Sequence, residues 1–376
     1  MTTQDTIDTR PMDEEADLFK INAMDHVEFW VGNAKQAVFY WKYWGFKPVA
    51  YSGLETGNRR FASWVVEQGK IRLVLSSPYS PHDEMAVHHM IHGDGVKVIA
   101  MEVEDVEAAY RETLARGAKG VQAPTEQSDK HGKIRTASIQ GYGQTLFKFV
   151  ERGEYAGAFM PTYKALPEDK TVKPTGLAAI DHIVGNVELG KMNYWVNWFH
   201  KTMGFRQIVH YDDKTIHTEY SALMSKVMGN GNGRIKFPIN EPAEGRKKSQ
   251  IEEYLDYYHG PGVQHLALIT GDIIGTVREL RDRGLEFLRV PNAYYENLPD
   301  RIGKIAESYT DIAELGILAD RDDEGYLLQI FSRPIQDRPT VFIEVIQRRG
   351  ARGFGVGNFK ALFESIEIEQ ARRGNL

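Results

Sequence analysis

The sequence predicts an α+β fold of four βαβββ modules arranged in two pairs, with an added C-terminal helix. Three observations carry that expectation. Blocks of sequence recur at an interval of about half the chain, each block holds one helix of about three turns among several strand-like segments, and a polar, proline-bearing tract separates the halves. One helix per several strands suits curved mixed sheets rather than a parallel sheet wound with alternating helices. The expected divisions are an arm over residues 1–20, a first domain over 21–155, a linker over 156–177 and a second domain over 178–376.

The arm is rich in Thr and Asp and lacks apolar periodicity. In the first module, Met24-Asp25-His26-Val27-Glu28-Phe29-Trp30-Val31 reads as a strand and Ala34 to Trp44 as a helix stopped at Gly45-Phe46. The third module opens in the same way, with Ile180-Asp181-His182-Ile183-Val184, an aromatic helical stretch from Met192 to Phe199, and Gly204-Phe205. Its later strands are expected over Phe205 to Tyr211, His217 to Lys226 and Arg234 to Ile239. The second and fourth modules share a further block. His92-Gly93-Asp94-Gly95-Val96 matches His259-Gly260-Pro261-Gly262-Val263, the helix from Asp105 to Gly117 matches that from Asp272 to Gly284, and Pro124 matches Pro291, all at an interval of 167 residues. Pro161, Pro167 and Pro174 mark the linker. The fourth module carries an extra piece between Pro291 and Gly325. The C-terminus from Asn358 to Arg373 is amphipathic through Phe359, Leu362, Phe363 and Ile366, so it is either a lid across a barrel mouth or a packing helix.

Chemistry is to be sought where the copies differ. His182 aligns with His26, but His265 aligns with Val98, and Glu344 in Ile343-Glu344-Val345-Ile346-Gln347-Arg348 aligns with Lys148 in Phe147-Lys148-Phe149-Val150-Glu151-Arg152. Two imidazoles and a carboxylate from three strands form the ligand set of a facial triad, which leaves about three positions open on a ferrous ion. Valine removes a donor, and lysine places a cation where a cation should bind, so the first half is expected to hold no metal. Glu344 stands among apolar neighbours, where an unpaired carboxylate costs several kcal/mol. A salt bridge to Arg338 or Arg348 is the competing explanation. An iron site with this charge favours a monoanionic bidentate ligand such as an α-keto acid, with a position left for dioxygen. A zinc hydrolase needs a single open position and stays possible.

Composition removes other classes. The chain has no cysteine, so disulfides, thiolate zinc sites, iron–sulfur clusters and a cysteine nucleophile are all excluded. A net charge of -6 and a pI of about 6.1 offer no general basic surface for nucleic acid. No apolar run is long enough to span a bilayer, and residues from Met1 to Asp17 are polar and acidic rather than signal-like, so a cytoplasmic protein is expected.

Five motifs in order identify a resemblance. They are Phe237-Pro238-Ile239-Asn240-Glu241-Pro242, Lys248-Ser249-Gln250-Ile251, Gly262-Val263-Gln264-His265-Leu266-Ala267-Leu268, Leu328-Gln329-Ile330-Phe331 and Gly353-Phe354-Gly355-Val356-Gly357-Asn358-Phe359. With them the chain resembles the 4-hydroxyphenylpyruvate dioxygenase family of the vicinal oxygen chelate superfamily over nearly its full length. The resemblance implies two vicinal-oxygen-chelate (glyoxalase/dioxygenase-like) barrel domains, Fe(II) held by His182, His265 and Glu344, and conversion of 4-hydroxyphenylpyruvate and dioxygen to homogentisate and carbon dioxide in tyrosine catabolism. It further implies catalytic roles for Gln250, Gln264 and Gln329, and substrate contacts from Ser221, Asn240, Phe331, Phe342, Phe354, Asn358 and Phe359. A homo-oligomer, dimer or tetramer, is the expected assembly. Strict strand alternation would turn Gln264 away from His265, against that implied role. Two rivals are 4-hydroxymandelate synthase, whose pattern departs at the positions matching Asn240 and Phe359, and a non-catalytic binding module of the same superfamily.

The repeat comparison makes its own prediction. The protein is expected to bind one ferrous ion per chain and to lose it in His265→Ala; metal analysis giving two ions, or full retention in the variant, contradicts it.

Overall fold

A computed structural model of the protein describes residues 17–211, 222–243 and 247–375. The first half supplies β1 (Ile21–Trp30), β2 (Lys47–Ser52), β3 (Phe61–Gln68), β4 (Ile71–Pro78), β5 (Gly95–Val103), β6 (Gly120–Asp129), β7 (Gly132–Gln140), β8 (Leu146–Glu151) and the two-residue β9 (Lys164–Ala165). The second supplies β10 (Leu177–Asn186), β11 (Arg206–Tyr211), β12 (Ala222–Gly229), β13 (Lys236–Ala243), β14 (Gly262–Thr270), β15 (Leu318–Arg321), β16 (Tyr326–Phe331) and β17 (Phe342–Arg349). The sheets run β9-β2-β3-β4-β1-β5-β8-β7-β6 and β11-β12-β13-β10-β14-β17-β16-β15, so apart from β9 they share one order. In each, two βαβββ modules meet along an antiparallel seam, β1 with β5 and β10 with β14, and the two curled sheets form the α+β architecture expected from the repeat.

The module helices are α1 (Ala34–Tyr43), α3 (Val106–Ala115), α4 (Met192–Trp198) and α6 (Ile273–Asp282). Asp105 and Asp272 open α3 and α6 by accepting from the Ala108 and Gly275 amides, the capping geometry that the paired blocks encode. Gly45 follows α1 at φ +90°, a left-handed conformation that costs glycine no steric strain. Beyond α4 the chain makes a π turn over Phe199–Met203, which takes up part of the length added in the third module.

Sequence periodicity does not single out two further helices between modules, α2 (Glu84–His92) and α5 (Gln250–Tyr258). Both are short, and α2 leaves Val87, Met90 and Ile91 exposed, which blurs its apolar stripe. The shared His-Gly motif proves to be their common C-terminus. The extra piece in the fourth module folds as α7 (Ala293–Glu296), α8 (Leu298–Ile302) and α9 (Tyr309–Leu315) before β15. The terminal helix α10 (Val356–Arg372) packs Ala361, Leu362 and Ile366 with Phe331 and Phe342, and Phe363 with Val227 and Ile251, so it bridges β12 to β17. No helix among the described residues is long and apolar enough to cross a membrane. Residues 217–221 of the expected strand His217 to Lys226 lie outside the described residues.

One apolar core runs through both halves. Phe147 on β8 reaches across the junction, with ring centroids 5.8 Å from Trp198, 5.4 Å from Phe199 and 5.4 Å from Phe237. Phe147→Ala is therefore expected to cost about 3–5 kcal/mol and to lower the unfolding midpoint of both halves together. Urea titration followed by tryptophan fluorescence checks this; an unchanged midpoint would show that the halves do not depend on a common core.

Candidate metal centre

Three neighbouring strands of the second sheet, β10, β14 and β17, carry His182, His265 and Glu344 to one buried point. Glu344 Oε2 lies 3.3 Å from His182 Nε2 and 3.1 Å from His265 Nε2, and the candidate ligand atoms of all three lie within 4.8 Å of one another. The strand register explains the convergence. Ala267 on β14 pairs with His182 on one side and with Glu344 on the other. In the first sheet Ala100 likewise pairs with His26 and Lys148, which confirms that Lys148 is the counterpart of Glu344.

Two irregularities aim side chains that simple alternation would not. In the β10·β14 ladder the register jumps between Ile180/Leu268 and His182/Ala267, and again between Val184/His265 and Gly185/Val263. Asp181 is the extra residue at the first break and Gln264 at the second, each an unpaired position that a β-bulge can turn to either face. Asp181 thereby places Oδ2 2.7 Å from His182 Nδ1, and Gln264 places Oε1 2.9 Å from His265 Nδ1. Gln264 thus sits beside its histidine, against strict alternation, because the strand is bulged.

Each imidazole thus donates its Nδ1 proton to a neighbour and turns Nε2 toward Glu344, an arrangement that fixes tautomer and ring direction. Burial alone would raise the Glu344 carboxyl, but the two imidazoles reverse this and hold it down to about 2. Burial also depresses His182, yet the charge of Glu344 and the bond to Asp181 outweigh it and leave His182 above its ordinary value. In His265 burial wins, offset only in part by Glu344, and its pKa falls. Neither arginine weighed as a partner takes Glu344. Arg348 pairs with Asp181 at 2.8 Å, and Arg338 donates to the carbonyls of Met90 and Ile91. Glu344 Oε1 instead accepts from Gln329 Nε2 at 3.0 Å.

A cavity opens on the cluster. Of the expected site residues, Asn240, Gln250, Gln264, Gln329, Phe331, Phe354 and Phe359 line it with the three candidate ligand residues, joined by Val184, Ser225, Val227, Pro238 and Leu362, which sequence reasoning did not single out as site residues. Phe342 stacks on His265 at 4.9 Å and 22° and faces an adjoining cavity that shares Gln250 and Gln264. Asn358 is not among the lining residues; it is buried and bonded to Gln329 and Tyr294. Ser221 lies outside the described residues. Sequence reading also passed over Asp181 and Arg348 as a functional pair, although Asp-His and the terminal Arg recur in both halves.

The first half shows which parts belong to the fold alone. Asp25 bonds His26 Nδ1 and Arg152, and Phe159 meets His26 edge-on at 5.1 Å; Asp181, Arg348 and Phe354 repeat these contacts around His182, again at 5.1 Å. Val98 and Lys148 leave His26 without further donors. In the second half, His265 Nε2 is buried without a hydrogen-bond partner, its lone pair facing Glu344 Oε2 at 3.1 Å because its proton is held on Nδ1. Such an orphaned lone pair, with Glu344 Oε2 3.1 and 3.3 Å from the two Nε2 atoms, fits a first-row divalent metal such as ferrous iron.

Comparison with known proteins agrees with this geometry. Models of the Glyoxalase/Bleomycin resistance protein/Dioxygenase superfamily match residues 25–136 and 179–330. The chain is 48% identical to the 4-hydroxyphenylpyruvate dioxygenase of Yarrowia lipolytica, over 94% of this chain and 93% of that one. It is 51% identical to that of Danio rerio, over 93% and 91%. A solved structure of a triple mutant of 4-hydroxymandelate synthase from Streptomyces coelicolor superposes with a TM-score of 0.84 at 33% identity, covering 93% of this chain and 99% of that one. With near half identity sustained across almost its whole length, the chain belongs to the 4-hydroxyphenylpyruvate dioxygenase family.

Proposed function

We propose that the protein is a non-haem iron(II) dioxygenase that converts 4-hydroxyphenylpyruvate and dioxygen to homogentisate and carbon dioxide, with His182, His265 and Glu344 as its iron ligands. The carrying observation is the buried cluster of two imidazoles and one carboxylate at the floor of a cavity, in a chain so similar to relatives of that name. Bound there, ferrous iron supplies open positions for an α-keto acid and the one-electron chemistry that dioxygen requires.

The chain's own side chains do the rest. Apolar walls from Val184, Val227, Phe331, Phe354, Phe359 and Leu362 exclude water and offer ring faces and edges to an aromatic substrate. Asn240, Gln250 and Gln264 supply the polar contacts that orient it. Gln264 Oε1 is engaged by His265, so its amide nitrogen is the group left to donate into the cavity. Phe342 holds the His265 ring by stacking. The first half, without the second imidazole and with lysine for the carboxylate, serves as a metal-free partner domain over 21–155. We place the enzyme in the cytoplasm, in tyrosine and phenylalanine breakdown, as a homodimer or homotetramer.

The solved synthase neighbour favours a second reading, in which the same substrate yields 4-hydroxymandelate. Asn240 and Phe359, the two positions that separate the patterns, both line the cavity, and the dioxygenase relatives are the nearer in identity.

Two outcomes are expected. Apoprotein loaded anaerobically with ferrous iron should consume oxygen with 4-hydroxyphenylpyruvate and release homogentisate, identified by chromatography; 4-hydroxymandelate would move the assignment to the synthase, and no uptake to a binding module. Iron affinity should also fall on acidification. Because the pKa of His182 is raised in the metal-free protein, protons compete for it from above the usual imidazole value of about 6.5. The decline in affinity should thus begin on the alkaline side of that value, and affinity flat down to about pH 5 would contradict neutral imidazole ligation.

A further inference from the structure

Glu344 has two oxygens: Oε2 is the one nearest both imidazoles, and Oε1 accepts from Gln329 Nε2. From there a line of hydrogen bonds leaves the cavity. Asn358 Nδ2 donates to Gln329 Oε1 at 2.9 Å, and Asn358 Oδ1 faces the Tyr294 hydroxyl at 2.5 Å. Its polarity admits one solution. An ionised carboxylate is acceptor only, so Gln329 must present its NH₂ to Glu344 and its carbonyl to Asn358. Asn358 must then present NH₂ to Gln329 and its own carbonyl to Tyr294, whose hydroxyl has to donate. That hydroxyl accepts the Ala319 amide at 2.9 Å and also lies 2.9 Å from the Ala319 carbonyl, to which Arg301 Nη2 donates at 3.2 Å; Asn358 Oδ1, at 2.5 Å, is the nearer acceptor of the tyrosyl proton.

Tyr294 is itself held firmly. Arg301 lies over its ring at 4.7 Å and donates to the Gly357 carbonyl at 2.9 Å, and Asp320 accepts the Gly357 amide at 3.0 Å. The turn into α10 is pressed against the line, since a Cβ on Gly355, at φ +78°, would fall 2.0 Å from Gln329 Oε1. The first half has none of these parts. Phe331 pairs with Glu344 where Ser138 pairs with Lys148, so Thr136 stands in place of Gln329, and no insert or terminal helix follows.

We infer that Tyr294, on the insert peculiar to the fourth module, is a positioning residue for the iron ligand Glu344, acting through Asn358 and Gln329 so that Oε1 stays occupied and Oε2 alone is presented to the metal. This rests on the metal-centre reading above.

The test measures Co(II) affinity of the full-length apoprotein by competition with a chromogenic chelator, with the thermal midpoint recorded for every variant. Tyr294→Phe is expected to weaken Co(II) binding by about tenfold, at the low end for a group that orients a ligand. Asn358→Asp, which removes the donor at the middle of the line, is expected to do the same and serves if the tyrosine variant does not fold. In a Gln329→Ala background, where the line is already cut, neither change should shift the affinity further by more than about twofold. Unchanged affinity in Tyr294→Phe, or an undiminished loss in the Gln329→Ala background, overturns the relay, because general loosening of the insert would act in both backgrounds. Wild-type protein that does not bind Co(II), or binds it undiminished in His265→Ala, overturns the metal centre itself and the inference with it.

Discussion

Glu344 is 1% exposed, and an ionised carboxylate in such a place costs several kcal/mol unless charge or hydrogen bonds repay it. Around it stand two imidazoles and one amide, with no arginine or lysine paired to it among the described residues. The nearest cation along the strand, Arg348, has been given to Asp181. Lys236 also lies 3.4 Å from Asp181, so both nearby permanent cations sit on that aspartate and Glu344 is left to the imidazoles, an arrangement that suits a metal centre better than an ordinary buried ion pair. Because its three donors stand on adjacent strands, one register holds them all; a slip of one residue in β14 or β17 would send a donor to the opposite face.

The pseudo-symmetry of the two sheets separates what the fold needs from what the chemistry needs. An aspartate bulged beside a histidine, an arginine closing on the aspartate and a phenylalanine edge on the imidazole occur in both halves, including the one with Val98 and Lys148. They are a way of burying a histidine at the centre of such a sheet, with its Nδ1 proton satisfied. Only His265, Glu344 and the line running from Glu344 to Tyr294 are confined to the second half. Phe354 accordingly has two duties, lining the cavity and bracing His182, and the second would persist without any ligand.

Much of this was legible from residues alone, because repeats report on packing and their differences report on everything else. The module order, the capped helices after β5 and β14, and the three donors all follow from aligning one half on the other. The bulges did not show, since period-two alternation has no mark for an inserted residue, and for that reason Gln264 looked misdirected. Arg348 was visible but was offered to the wrong carboxylate: strand position places a side chain on a face without saying which of two acids it meets. The inserted helices have few apolar residues in register, and their fixing of the start of α10 depends on long-range contacts of Tyr294 and Arg301 that no local pattern carries.

Whether a half encloses a cavity at all is decided by the segment beyond its last strand. After β8, Arg152 donates to the Phe159 carbonyl and the linker turns inward, so that Phe159 and Met160 fill the space beside Ala50, Val65, Val98 and Val150. After β17, Arg348 donates in the same manner to the Gly353 carbonyl, and Phe354 reaches His182 as Phe159 reaches His26. There the paths part. Gly355, in a left-handed conformation open to glycine, turns the chain into α10, which crosses above the sheet instead of entering it. Phe359 and Leu362 then reach the opening from the side and line the cavity together with the donors. The same sheet is plugged by a linker in one half and roofed by a helix in the other, so the room for a substrate comes from the chain beyond the barrel rather than from the barrel's own strands.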